Sequence, residues 1–117
     1  MSTFGAFDFD VALALAAPER LDWQPLRPGV DMHTIYDCGD DGPAAAILRY
    51  RPGAEVPEHV HVGHEHIFVL AGAQEDERGR HAAGSLVVNP PGTSHRVRSE
   101  EGCLVLAVWE RKVRFVD

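Results

Sequence analysis

The chain is 117 residues long, with 44% hydrophobic and 25% charged residues, the make-up of one soluble globular domain and not of a disordered chain. Its formal net charge of -7 argues against a general grip on nucleic-acid phosphates, which takes clustered Lys and Arg. The longest apolar stretches, Ala44–Leu48 and Leu104–Trp109, fall well short of the ~20 residues that span a bilayer, so no membrane-spanning protein is expected.

The N-terminus, MSTFGAFDFD, carries acids where a secretory leader would carry Lys or Arg; a cytoplasmic protein is expected. Residues 1–28 are the least regular part and read as an arm packing on a domain formed by residues 29–117. Within the arm, Asp10–Ala17 predicts a short helix, capped by Asp10 and stopped by Pro18. Trp23–Pro28, with two prolines, reads as extended.

From Val30 onward the pattern is strands and turns. Strands are expected at Val30–Tyr36, Ala44–Tyr50, Val56–His61, Glu65–Leu70, Ala73–Arg78, Ser85–Asn89, His95–Arg98, Cys103–Trp109 and Lys112–Val116. Gly and Pro punctuate them: Cys38–Pro43, Arg51–Ala54, Gly63, Gly72, Gly79 and Pro90-Pro91-Gly92 all read as turns or strand ends. Many short strands at regular spacing with no long helical period predict an all-β sandwich or barrel. Arg111, Lys112 and Arg114 alternate with Val113 and Phe115, the pattern of a half-exposed strand and not of a basic stripe. Two isolated cysteines, Cys38 and Cys103, make neither a disulfide framework nor a CxxC motif; both read as reduced thiols in or near the core.

Seven histidines stand in this small acidic chain, and His59, His61, His64 and His66 fall close together. Strand side chains alternate between faces, so His59 and His61 point the same way. Glu65 shares their parity and joins them if the Val62–Gly63 bend keeps it on that face. His95, on a neighbouring strand, can complete the set. Neutral imidazoles with one carboxylate suit a divalent transition metal, held at about 2.0–2.2 Å for zinc. By the same parity His66 points away from the barrel interior, and His64 sits in the bend; neither is expected to bind metal. His81 is expected at an exposed turn, and His33 has no evident partner.

The order Gly53, His59, His61, Glu65, Gly72 follows G-x5-H-x-H-x3-E-x6-G, and Gly84, Pro90, Gly92, His95 follow G-x5-P-x-G-x2-H. These spans resemble the two motifs of the cupin superfamily; Ser99 stands where that pattern has Asn. A narrower resemblance, in WQPLRPG, LRYRPGAEVPEHVH, FVLAG, NPPGTSH and SEEGC, is to the ChrR-like cupins. The resemblance implies a double-stranded β-helix, or jelly-roll, barrel with one zinc, iron, manganese or nickel ion on His59, His61, Glu65 and His95. It implies a small-molecule ligand in an apolar pocket at that metal. It also implies a homodimer paired through an outer sheet face, where Phe68 and Leu70 have the parity to sit. Two functions follow: a metal-dependent dioxygenase or isomerase, with Glu65 as ligand and proton acceptor, or a non-catalytic zinc-binding sensor. No HxxxCxxC spacing is present, so direct anti-sigma activity is not expected.

The remaining residues have simpler readings. Trp23, Tyr50, Phe68 and Trp109 read as core or interface aromatics, with Tyr50 and Trp109 able to line a pocket. Arg49, Arg51 and Arg96 read as solvated surface cations. Ser94 beside His95 makes no dyad, because adjacent strand residues face opposite ways.

Overall fold

The computed structural model describes residues 5–116. The chain opens with helix α1 (Val11–Ala16), whose Asp10 carboxylate accepts the Leu13 N–H at 2.9 Å as an N-cap. A short 3-10 turn follows at Pro18–Arg20. Ten strands come next: β1 (Gln24–Arg27), β2 (Val30–Asp37), β3 (Ala44–Tyr50), β4 (Ala54–Val60), β5 (Glu65–Asp76), β6 (Gly79–Ala82), β7 (Leu86–Asn89), β8 (Ser94–Ser99), β9 (Cys103–Trp109) and β10 (Arg114–Phe115). Each pairs antiparallel, in the order β1-β2-β3-β9-β5-β8-β4-β10, with β6 and β7 also on β5.

The result is a curled sheet, a half-barrel closed around an apolar interior. Val30, Leu48, Tyr50, Val56, Ile67, Val69, Val87, Val97 and Val105 fill it. Long β5 makes the curl: its first half lies between β7 and β9, and its second half meets β6 and β8. Among the described residues no helix is long and apolar enough to cross a membrane.

Several expected elements differ, among them Lys112–Val116, of which only Arg114–Phe115 is strand. Glu65–Leu70 and most of Ala73–Arg78 are one strand, ending at Asp76, because the chain runs on through a bulge and through Gly72 instead of stopping there. The register with β9 advances two residues from Val69 to Ala71 against one from Val105 to Leu104, which places the extra residue at Leu70. The extended Trp23–Pro28 segment contains β1, which pairs with β2. Gly79, expected only as a turn, starts β6.

Residues that precede β1 contact the sheet. The Trp23 indole donates to the Pro18 carbonyl at 2.8 Å, and the Arg49 guanidinium lies 4.2 Å from its ring centre. Arg49 also pairs with Asp31 at 3.0 Å, so it is held and not simply solvated. His33 has its Nδ1 2.9 Å from the Asp22 carbonyl and packs near Phe9 and Trp23. Cys103 is buried as expected, and burial pushes its thiol up to about 11; Cys38 is instead exposed, on the turn after β2.

At Gly72 the backbone has φ +72, and a Cβ would meet the Gly102 carbonyl oxygen at 2.0 Å. The left-handed conformation alone costs a non-glycine residue about 1–3 kcal/mol, and the backbone contact adds to it. Gly72→Ala is therefore expected to lower the urea unfolding midpoint clearly; an unchanged midpoint would contradict this register.

Candidate metal centre

Four side chains from three strands and one bend converge inside the barrel. His59 lies near the end of β4 and pairs directly with His95 of β8. His61 follows β4 and is held in line by two backbone bonds, its N–H to the Thr93 carbonyl and the Gly92 N–H to its own carbonyl, each 2.8 Å. Glu65 opens β5. All four residues are almost fully buried.

A bulge in β4 places His59 and, just after the strand, His61. Between Val56 and His59 the register with β8 advances three residues on one strand and two on the other. Pro57–Glu58 thus hold one extra residue, and the inward phase passes from Ala54 and Val56 to His59 and His61. The bend at Val62–Gly63 keeps Glu65 on the same face, as its parity suggested.

The ligand-capable atoms of His59, His61, Glu65 and His95 all lie within 4.8 Å of one another. The ring centres of His59 and His61 are 4.7 Å from that of His95 and 5.2 Å apart. Each imidazole spends its Nδ1 on an outer acceptor. His59 Nδ1 lies 2.9 Å from the Pro57 carbonyl, and His61 Nδ1 lies 3.0 Å from the Thr93 carbonyl and 2.9 Å from its hydroxyl. His95 Nδ1 lies 3.1 Å from Asp76 Oδ2. A proton on Nδ1 satisfies each of these acceptors and leaves Nε2 of His61 and of His95 free as inward lone pairs. Nε2 of His61 and of His95 is buried without a hydrogen-bond partner, although His61 Nε2 lies 3.1 Å from Glu65 Oε1.

Glu65 is anchored from the other side. Asn89 donates to Oε1 at 2.9 Å, and the Trp109 indole donates to Oε2. Burial works against its charge, but a protonated His61 beside it and the Trp109 bond outweigh burial and hold the carboxyl below its ordinary range. Burial lowers the affinity of His59 for a proton, against the pull of Pro57 and Glu65, which keeps that ring neutral. Unpartnered buried Nε2 atoms facing a buried carboxylate are costly in themselves. A divalent cation is what satisfies such a donor set, so the cluster fits a mononuclear metal site.

The site faces an inner cavity of about 50 Å³, walled by apolar groups such as Leu48, Val56, Ile67 and Val97, with Tyr50 and Trp109 among its lining. Leu26, Trp109, Val113 and Phe115 separate it from an outer chamber of about 240 Å³ lined by Met32, Thr34, Tyr36 and Ala44–Ala46. Phe115 of β10 packs on His59 at 5.7 Å and carries the Arg27 guanidinium 3.9 Å above it. At the chamber rim Lys112 pairs with Asp37 at 2.8 Å. A wider groove of about 650 Å³, bordered by Glu55, Glu58, Glu77 and Arg96, contains none of the four donors.

The profile of the ChrR Cupin-like domain matches residues 11–112. The chain belongs to this family. This cupin-like domain is 36% identical over 100 residues to the anti-sigma-E factor ChrR of Cereibacter sphaeroides, covering 83% of this chain but 46% of that protein. The chain thus spans less than half the length of that curated relative. The crystal structure of Rhodobacter sphaeroides SigE in complex with the anti-sigma ChrR superposes with a TM-score of 0.71 at 30% identity, covering 83% of this chain and 55% of that one. An acetylacetone dioxygenase from Acinetobacter johnsonii shares the fold, with a TM-score of 0.74 at 17% identity over 81% of this chain and 72% of that one.

The other residues singled out fall away from the four donors. His66 is exposed, and so is His64, whose backbone N–H donates to Glu110 at 3.0 Å. His81 is not the exposed turn residue expected: it is half-buried with Nε2 2.9 Å from Asp76 Oδ1, because Asp76 is turned inward beside it. Phe68 is 40% exposed on the outer sheet face. Ser99 is buried and donates to the Ala73 carbonyl at 2.6 Å, a bond that ties β8 to β5. Sequence reasoning missed the supporting shell of Asp76, Asn89 and Thr93. Asn89 and Thr93 sit inside the NPPGTSH stretch and were findable there; Asp76 carries no local mark. Trp109→Phe removes the indole donor from a buried carboxylate, so a loss of about 1–3 kcal/mol is expected in denaturant unfolding. Equal stability of the two proteins would contradict that bond.

Proposed function

We propose that this chain is a metal-binding cupin in which His59, His61, Glu65 and His95 hold one divalent transition metal and a small-molecule ligand meets it inside the barrel. The observation that carries the reading is the inward convergence of three imidazole lone pairs on the Glu65 carboxylate, with each Nδ1 already committed elsewhere. Charge supports it. Glu65 and Asp76 are both held below the ordinary carboxyl range, the second despite partial burial because His81, His95 and the Arg78 N–H donate to it. Among the described residues no Lys or Arg side chain lines the inner cavity, so a dication is the natural counter-charge.

The activity that this arrangement suits best is that of a metal-dependent dioxygenase. Bound metal supplies Lewis-acid or redox chemistry, and three His with one Glu leave coordination positions open. The chain's own residues set the conditions. The apolar walls exclude bulk water, and the small inner cavity admits a diatomic molecule or a water. The outer chamber suits the body of a small, largely apolar organic substrate. Asn89 and Trp109 keep Glu65 charged and oriented, which fits it to hold metal.

A second reading has a specific observation behind it, the 36% identity to an anti-sigma-E factor. In that reading the barrel is a zinc-holding sensor module in the cytoplasm, responsive to a ligand or oxidant and able to act with a protein partner. Metal analysis of protein purified without air or added metal separates the two. Iron or manganese near one per chain, with oxygen uptake on small diketones or aromatics, supports the dioxygenase; zinc near one per chain without uptake supports the sensor. In either case His59→Ala and His95→Ala are expected to lose most of the metal and His66→Ala to keep it. Equal loss in all three would sink the assignment of ligands.

A homodimer is part of the proposal. Phe68, Leu86 and Val88 are 40%, 57% and 43% exposed, and the pairing of β5 with β7 sets them on one outer sheet face, a contiguous apolar patch of the kind that a second copy covers. Light scattering after size exclusion should give twice the chain mass, and Phe68→Asp should shift it toward one chain. A single-chain mass for the unmodified protein would rule the dimer out.

A further inference from the structure

Asp76 ends β5, and its side chain is only 4% exposed. Its position follows from the bulge at Leu70. Before it, Glu65, Ile67 and Val69 face inward; after it, the phase changes, so that Gln74 lines the inner cavity and Asp76, two residues on, is buried against His81 and His95. Three donors meet the carboxylate there. His81 Nε2 of β6 and the Arg78 N–H reach Oδ1, each at 2.9 Å, and His95 Nδ1 reaches Oδ2 at 3.1 Å.

An aspartate at a hairpin turn often accepts the N–H two residues on, and that bond takes one oxygen and needs no burial. Asp76 makes that bond, yet it is buried and spends its other oxygen on His95. A buried carboxylate is costly unless all its partners are in place, so the turn by itself does not account for the arrangement.

The geometry points to Asp76 as a positioning residue of the centre: by accepting from His95 Nδ1 it fixes that ring's tautomer and aims its Nε2 at the metal position, while His81 and the Arg78 N–H hold the carboxylate still. The inference rests on the reading of the four donors as a metal site. Partners of this kind set ring orientation and ligand basicity, and losing one typically costs 10–100-fold in metal affinity.

Asp76→Asn separates this role from the turn. The amide oxygen can still accept the Arg78 N–H. The amide NH2 then faces His95 Nδ1, where donor meets donor. His95 is relieved by moving its proton to Nε2, the atom that must bind metal. Two readouts follow. Nitrogen-15 correlation spectra of metal-free unmodified protein should show His95 as the Nδ1–H tautomer, and Asp76→Asn should move it toward Nε2–H. Zinc competition against a chromogenic chelator should give a Kd raised 10–100-fold in Asp76→Asn, with Glu101→Gln, an exposed change beside the same hairpin, unchanged.

The proposal is overturned if His95 is the Nε2–H tautomer in the unmodified protein, a result that needs no variant to fold. It is overturned equally if Asp76→Asn leaves both tautomer and zinc Kd unchanged. Failure of the unmodified protein to bind zinc, iron or manganese would instead remove the metal reading, and the metal-free spectra would still decide what Asp76 does to His95.

Discussion

A barrel has one interior, and a strand that alternates its side chains can offer that interior only its odd or only its even residues. The centre described above depends on breaking this rule twice. On β4 the extra residue at Pro57–Glu58 lets the apolar Ala54 and Val56 and the polar His59 and His61 share the interior. On β5 the extra residue at Leu70 does the same for Glu65, Ile67 and Val69 before it and for Gln74 after it, and it buries Asp76 against His81 and His95. Without the first bulge His59 and His61 would face solvent whenever Val56 faced the core. Without the second, Asp76 would lie outside and His95 would lose its acceptor.

Those two departures gather polar groups in an otherwise apolar core, and electrostatics then dictates how they are arranged. Buried carboxylates and imidazoles are tolerable only with their bonds made. The outward-turned atoms are satisfied by protein: Pro57, Thr93 and Asp76 serve the imidazoles, while Asn89 and Trp109 serve Glu65. The inward-turned Nε2 atoms of His61 and His95 are not. The protein therefore spends its hydrogen bonds on orientation and leaves its lone pairs for a cation. The same support makes the cluster rigid, since His59, Glu65 and His95 rest on paired strands and His61 is tied by backbone bonds to Gly92 and Thr93.

The approach to the centre is set by different elements. Leu26 of β1 and Phe115 of β10, close to opposite ends of the chain, both help to wall the inner cavity from the outer chamber. Phe115 is fixed by its register with His59 and by the Arg27 guanidinium above it. Chamber shape is thus governed by segments outside the two motifs that carry the four donors.

Much of this was legible in the sequence. Strands broken by Gly and Pro at short intervals indicated an all-β domain, and β3 and β9 were read at their observed limits. The four candidate ligands were legible because His59, His61 and Glu65 sit within one strand, bend and strand, where spacing and parity are local properties. Other features depended on distant segments. Trp109 reaches Glu65 across 44 positions and His95 reaches Asp76 across 19. The continuity of β5 through Gly72 depends on the close approach of Gly102. By itself the sequence determined the fold class and the candidate donors, since alternation and short spacings act within a few residues. Only the tertiary structure decided which groups orient those donors and what encloses them, because a bulge changes the phase of everything after it and its effect appears only when the partner strand is in place.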